Sequence, residues 1–355
     1  MFQVNIDGEK REKIIILFRI RKGLYGKWTK KLLTSLSVMN KQNNLDLRSP
    51  LLLVIEITDR CNLNCKYCYD RFGYNKRENC DISLEDFSLI VEEANEIGIF
   101  DINLSGGEPF IHKDILKFIE IIKSAKLGIS IVSNGTFIGK EIAKSLFELE
   151  IIPFIQISFD GHTPDIHNKT RQLYNETYRG FMNLVEEAGN KELSPSIGIV
   201  INKYNFLDIS EAIDFFSKFT SRFHLMNVMG HPEIELSAIE RDIFSAEIIP
   251  QIKDIAISKS IAVSNFNDKN PTITNFQARD SHIDCLAGFT TLVLSPNKEV
   301  FPCDIARYSL SEWNGKGSLL KIFNNSKKLW RNMTKPWCLS DLCAYSSDCD
   351  EHLLF

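Results

Sequence analysis

The chain has 355 residues, 44% of them hydrophobic and 25% charged, with a formal net charge of −4. That is enough for one large α/β domain with a smaller appendage, and the slight negative balance disfavours a nucleic-acid partner. No apolar run is long enough to span a bilayer and the charged N-terminus lacks a signal-peptide pattern, so a cytoplasmic protein is expected, in which clustered cysteines bind metal or do chemistry sooner than they form disulfides.

Residues 1–50 are basic and mostly helical in pattern. Leu24, Trp28, Leu32, Leu33 and Leu36 share one helical face, which predicts a helix packed outside the next domain. A basic surface for an acidic substrate or a membrane is the alternative. From residue 51 a strand–helix rhythm begins. LLLVIEIT is a compact apolar run suited to a buried strand. SLEDFSLIVEEANEIG follows as a helix, with Ser83 as N-cap and Gly98 at its end. DINLSGGEP, ISIVSNGT, PFIQISFDG, SPSIGIVINKYN and RFHLMNVMG read as further strands, each separated from the next by an amphipathic helix. Six such units predict a parallel sheet with right-handed crossovers, either open or curved into a partial barrel. In both cases the site gathers at the carboxyl ends of the strands. Residues 231–280 read as a helical, then loop-like linker, and a cysteine-bearing module occupies 281–355.

The nine cysteines are unevenly placed. Cys61, Cys65 and Cys68 sit in CNLNCKYC, after the first strand. Cys80 stands alone and reads as a bystander. Cys285, Cys303, Cys338, Cys343 and Cys349 close the chain. Three thiolates on one loop cannot complete a tetrahedral zinc site without a distant fourth ligand, which is the zinc-knuckle alternative. Soft thiolates also suit a cubane iron–sulfur cluster, with one iron left open.

C-x3-C-x2-C with the aromatic Tyr67 before the third cysteine, on the loop after the first strand, resembles the radical S-adenosylmethionine superfamily. Ser105-Gly106-Gly107-Glu108-Pro109, Ser133-Asn134-Gly135 and the segment from Ser158 and Asp160 to Arg171 resemble that family's turns after the second, third and fourth strands. The resemblance implies a partial (β/α)6 barrel of α/β class over residues 51–230. It also implies a [4Fe–4S] cluster on Cys61, Cys65 and Cys68, whose open iron takes the amino and carboxylate groups of S-adenosylmethionine. The cofactor-binding set it implies is Tyr67, Gly106, Gly107, Glu108, Pro109, Ser133, Asn134, Ser158, Asp160 and Arg171. Within that set Glu108, with backbone groups of its segment, receives the methionine ammonium, the Ser133-Asn134-Gly135 turn lies near the ribose and Arg171 helps hold the carboxylate. The two glycines are expected to let the backbone approach a ligand closely. The alternative for Arg171 is a solvated arginine at a helix start. His162 and His167 are acid–base candidates, read first as locally hydrogen-bonded loop residues.

CLAGFTTLVLSPNKEVFPC predicts a hairpin turning at Pro296-Asn297. With Cys338, Cys343 and Cys349 it resembles the auxiliary-cluster extension called SPASM, or its shorter form, twitch. The full extension carries seven cysteines; here there are five, and Leu353 stands where a further one is expected. The simplest count is one auxiliary [4Fe–4S] cluster on Cys285, Cys303 and two of Cys338, Cys343 and Cys349. Two incomplete clusters, with an open iron or with His352 as an unusual ligand, or a structural zinc site, are the alternatives. The resemblance further implies an enzyme that cleaves S-adenosylmethionine and abstracts a substrate hydrogen, with a flavodoxin or ferredoxin reductase as electron donor. The preferred substrate is a ribosomally made precursor peptide; a small amino-sugar or antibiotic precursor is the alternative. A leader-binding domain before the barrel is expected to be absent or supplied separately, since only about fifty residues precede the first strand. A non-catalytic Fe–S or zinc-binding interaction protein is the alternative from another class.

Overall fold

The computed structural model describes residues 47–68, 79–228, 231–264, 287–304 and 307–332. The basic helix expected before residue 47 lies outside these residues, as do Cys285, Cys338, Cys343, Cys349 and His352.

Strand β1 (Leu52–Glu56) leads through the cysteine loop to helix α1 (Leu84–Ile97). Ser83 caps that helix, its hydroxyl accepting from Asp86 N at 3.0 Å. Gly98 ends it at φ 89°, a left-handed position where glycine carries no Cβ penalty. Then β2 (Asp101–Ser105), α2 (Ile115–Ser124), β3 (Gly128–Ser133), α3 (Lys140–Glu148), β4 (Ile155–Ser158), α4 (Tyr174–Ala188), β5 (Ser196–Ile201), α5 (Ile209–Phe216) and β6 (Arg222–Asn227) follow. These six strands pair in parallel and in chain order. Their carboxyl ends therefore share one edge of the sheet.

Beyond β6 the predicted helical stretch forms as α6 (Ala238–Ile243), a π turn (Phe244–Ile248) and α7 (Ile249–Ser258). Pro250 lacks the N–H that would continue the α-helical ladder, and the wider turn lies immediately before it. A three-residue strand, β7 (Ala262–Ser264), then adds in parallel to β6. The sequence pattern did not announce it.

The predicted hairpin forms as β8 (Thr291–Leu294) and β9 (Glu299–Phe301), with β10 (Ser311–Glu312) beside it. Strand β8 pairs in parallel with β1, matching Leu52 to Thr291 and Ile55 to Leu294. The described strands thus make one ten-stranded sheet, in the order β10-β9-β8-β1-β2-β3-β4-β5-β6-β7.

Strand alternation divides the sheet into two faces. Leu53, Ile55, Ile102, Leu104, Ile131, Ile157, Ile199 and Leu225 face the helices and join Phe87, Phe118, Phe181 and Phe216 in the main core. Leu292, Leu294, Val300, Trp313, Leu319 and Phe323 belong to that same core, so the described C-terminal part is packed into it. Helix α8 (Ser318–Asn332) is fastened to α1 by the buried Glu93. That carboxylate accepts from Trp313 Nε1 at 2.9 Å and from Leu319 N at 2.8 Å. The opposite face is more polar. It carries Glu56, Asn103, Ser130, Gln156, Ser158 and His224, interrupted by small apolar clusters around Val54 and Val200.

Candidate active site

Two segments hold the entry to the cysteine loop. Ile57 N donates to Ser105 O, Gly107 N to Thr58 O at 2.7 Å and Glu108 N to Arg60 O at 2.8 Å. From the other side, Asp59 N donates to Cys80 O and Ile82 N to Ile57 O. Thr58 Oγ1 and Arg60 Nε both donate to Asp81 Oδ1, at 2.6 and 2.9 Å. Cys80 therefore belongs to this backbone clasp. Its N–H donates to Asp59 Oδ1 at 2.8 Å.

The glycines of SGGEP do permit a close approach, but the approaching group is the chain itself. A Cβ on Gly107 would meet Arg60 O at 2.2 Å, and one on Gly106 would meet Thr58 O at 2.3 Å. The two glycines let the segment leading into Cys61 lie directly against β2's end.

Glu108 is 1% exposed. Its Oε1 accepts from Phe110 N at 3.1 Å and from Ser133 Oγ at 2.8 Å; its Oε2 accepts from Asn134 N at 2.7 Å. Burial pushes the carboxyl up to about 7, against the pull of these donors. The side chain expected to meet an ammonium thus ties the turn after β2 to the turn after β3. Pro109 begins the short 3-10 turn that follows.

Asn134 carries the same tie on to the cysteines. Its Nδ2 donates to Asn62 Oδ1 at 3.0 Å and lies 3.9 Å from Cys61 Sγ; its Oδ1 accepts from Thr136 N and Oγ1. Asn62 Nδ2 in turn donates to Thr136 Oγ1 at 3.0 Å. Ser133 Oγ also accepts from Gly135 N at 2.8 Å. Ser158 is buried at the carboxyl end of β4.

Asp160 holds the far side of the loop. Its Oδ2 accepts from Tyr67 OH and from Thr170 Oγ1, each at 2.5 Å, and its Oδ1 accepts from Arg171 Nε at 3.0 Å. Lys66 N donates to Thr170 O at 2.9 Å. Arg171 is no solvated helix-start residue. Its side chain is 11% exposed, its guanidinium lies 5.3 Å from the Tyr67 ring centre and its Nη1 is 4.0 Å from Cys65 Sγ. His167 is buried, accepts from Asp160 N and bonds Gln172 O through Nε2; burial pushes it down to about 4. His162 lies tilted against Phe215, ring centres 5.6 Å apart, and faces Glu211 at 3.7 Å.

Cys61, Cys65 and Cys68 are half-buried on this loop. Burial pushes the Cys65 thiol up to about 11; Arg171 pulls it down, while Asp160, Cys68 and Cys61 push it up. Cys61 and Cys68 thus both lie close enough to Cys65 to act on its thiol. Among the described residues no three His, Cys, Asp or Glu side chains close around a single-ion position. A cubane differs in that it takes each thiolate on a separate corner iron. Three soft sulfurs, N–H donors from Leu63 and Asn134, and one guanidinium make a donor set that fits such a cluster.

One constellation was not singled out in the sequence. Glu56, at the carboxyl end of β1, is 2% exposed and makes a two-pronged pair with Arg307, Nη1 to Oε2 at 3.0 Å and Nη2 to Oε1 at 2.5 Å. Asp304, next to Cys303, is pushed up to about 6 by burial and by Glu56, against Arg307. The signal was present in the sequence: a glutamate inside the run LLLVIEIT requires a buried cationic partner.

Residues 55–216 match the Radical SAM superfamily. The mycofactocin maturase MftC of Mycobacterium tuberculosis is 24% identical over 301 residues, covering 82% of this chain and 74% of that protein. The antilisterial bacteriocin subtilosin biosynthesis protein AlbA of Bacillus subtilis is 23% identical over 316 residues, covering 84% of this chain and 66% of that protein. Streptococcus suis SuiB, solved with its precursor peptide SuiA, shares the fold with a TM-score of 0.61 at 17% identity, covering 86% of this chain and 72% of that one. The protein is an enzyme, and no helix among its described residues is long and apolar enough to cross a membrane.

Proposed function

We propose that the protein is a radical SAM enzyme that modifies a ribosomally made peptide, opening with abstraction of a hydrogen atom from the substrate. One observation carries the reading. The cysteine loop, SGGEP, SNG and the Asp160–Arg171 segment are hydrogen-bonded into a single assembly on the carboxyl edge of the parallel sheet. When bound to Cys61, Cys65 and Cys68, a [4Fe–4S] cluster would supply the electron that cleaves S-adenosylmethionine to a 5′-deoxyadenosyl radical.

The chain's own residues prepare that site. Gly106 and Gly107 fix the height of the cysteine loop over the strand ends. Glu108 and Asn134 hold the two neighbouring turns in one orientation. Arg171 presents a guanidinium suited to the methionine carboxylate. Curvature of the sheet into a partial barrel belongs to the proposal, because it would turn the polar face bearing Ser158, Gln156 and His224 inward. An auxiliary [4Fe–4S] cluster would take Cys303 and Cys285 with two of Cys338, Cys343 and Cys349, and a flavodoxin or ferredoxin would deliver the electron.

A peptide substrate is supported by the relatives that align along more than four-fifths of this chain. One is a maturase and the other serves bacteriocin biosynthesis; SuiB, of the same fold, was solved with a precursor peptide. The test is anaerobic reconstitution with iron and sulfide, then S-adenosylmethionine and dithionite, with 5′-deoxyadenosine measured. Replacing Cys61, Cys65 and Cys68 together with Ala should abolish its formation, and full activity in that variant would sink the assignment. Mass spectrometry of a synthetic peptide encoded beside the gene should then show a turnover-dependent mass change. Its absence, with a mass change on an amino-sugar instead, would overturn the peptide reading alone.

A further inference from the structure

The Asp160 carboxylate has no room for a ligand hydroxyl. Its side chain is 0% exposed. Oδ2 carries two hydroxyl donors, Tyr67 and Thr170, and Oδ1 carries Arg171 Nε. The main chain at this residue is equally occupied: its carbonyl accepts from Asn205 Nδ2 at 2.8 Å and its N–H points at His167 Nδ1. Every donor on the carboxylate comes from the cysteine loop or from the segment that touches it. Thr170 O also accepts from Lys66 N, between Cys65 and Cys68. Arg171 reaches past Asp160 to the Tyr67 ring and to Cys65 Sγ.

We propose that Asp160 and Arg171 are positioning residues for the cysteine loop, a buried ion pair that sets a guanidinium beside Cys65 and thereby fixes the reduction potential of the cluster bound there. The inference rests on the cluster reading of the three thiols and adds to it a role that the resemblance does not assign. The physical reason is charge placement. Within the pair, the cation is the partner that contacts the sulfur, while the anion sits behind it against Tyr67 and Thr170. A cation next to a cluster ligand favours the reduced, more negative state of the cluster, and N–H groups directed at sulfur act in the same sense. Asp160 limits that effect by offsetting the guanidinium charge. Its second task is geometric. It holds the Arg171 fork through Nε, which leaves the Nη edge directed at the loop. Arg171 can still meet an anionic ligand group with its remaining N–H bonds.

The two residues therefore have opposite electrical effects on the same cluster, which a shared packing role does not produce. The experiment is an EPR-monitored redox titration of the reconstituted full chain without substrate. Asp160→Asn keeps the shape and leaves the guanidinium uncompensated, so the midpoint potential should rise above that of the unaltered protein. Arg171→Met keeps the length and removes the cation, so the potential should fall. Tyr67→Phe changes no charge. It should leave the potential near the unaltered value while shortening the time over which iron is retained against a chelator. Shifts of Asp160→Asn and Arg171→Met in the same direction, or no shift in either, overturn the proposal. If only one of these variants takes up a cluster, the sign of its shift decides. If neither does, the pair is merely structural and the proposal is overturned. An unaltered protein that binds no cluster under the same conditions refutes the cluster reading itself, a separate result.

Discussion

Replacing Glu108 with Gln tests the central tie of the site. Three donors converge on this carboxylate: Phe110 N and Ser133 Oγ on one oxygen, Asn134 N on the other. An amide has one oxygen. In either orientation its NH2 faces a backbone N–H, that of Phe110 or that of Asn134, and one buried donor loses its acceptor. Such a loss costs about 1–3 kcal/mol. A protonated glutamate avoids it, because its O–H can donate to Ser133 Oγ while both oxygens still accept. The pH dependence follows from the raised value. Folding moves this carboxyl from its ordinary 4.5 to about 7, so the folded chain binds the proton more tightly. Its contribution to stability is full below pH 4.5 and is lost as pH rises through 7, by about 3 kcal/mol in all. The Gln variant has no such loss. Urea unfolding of the cluster-free full chain, followed by far-UV circular dichroism, should show the variant less stable by about 1–3 kcal/mol at pH 5. The gap should close or reverse by pH 8. Asp101, Asp304 and His167 titrate in both proteins and cancel in the difference. A gap of the same size at pH 5 and pH 8 would refute the reasoning.

Three other outcomes are expected. Gly107→Ala forces a Cβ against Arg60 O at 2.2 Å, where only backbone movement gives relief; it should cost about 1–3 kcal/mol or more and lower the iron retained after reconstitution. Normal iron loading there would show that the cysteine loop tolerates displacement. Trp313→Phe removes one of the two donors on buried Glu93 and should lower the urea midpoint by the equivalent of about 1–3 kcal/mol, within a single transition; an unchanged midpoint would mean that α8 is held by other contacts. Iron and sulfide analysis should give about eight of each per chain if the C-terminal cysteines hold a second cubane, and a value near four with zinc present would make that module a structural metal site.

The local signals in the sequence were legible. Ser83 and Gly98 bound the first helix because capping and left-handed geometry are decided within one turn of chain. The four motif-bearing turns follow strands for the same reason: cysteine, glycine and asparagine chemistry is concentrated in a few adjacent residues. Partners distant in sequence were not legible. Tyr67 and Asp160 are 93 residues apart, and neither residue type announces the other. The glycines of SGGEP show in the sequence a need for space, but not that Thr58 O and Arg60 O are the atoms a side chain there would meet. The hairpin from Thr291 was foreseen as a hairpin, yet its parallel pairing with β1 was not, because an apolar strand carries no mark of its neighbour.

That pairing bears on the order in which the chain can finish folding during synthesis. The backbone hydrogen-bonding edge of Leu52–Ile55 meets its partner in β8 only after about 240 more residues have left the ribosome. Until then the central strand of the sheet is an unshielded apolar edge, the kind of surface on which nascent chains pair wrongly or aggregate. Truncation before residue 291 should therefore give an insoluble product, even though residues 52–227 already contain all six core strands.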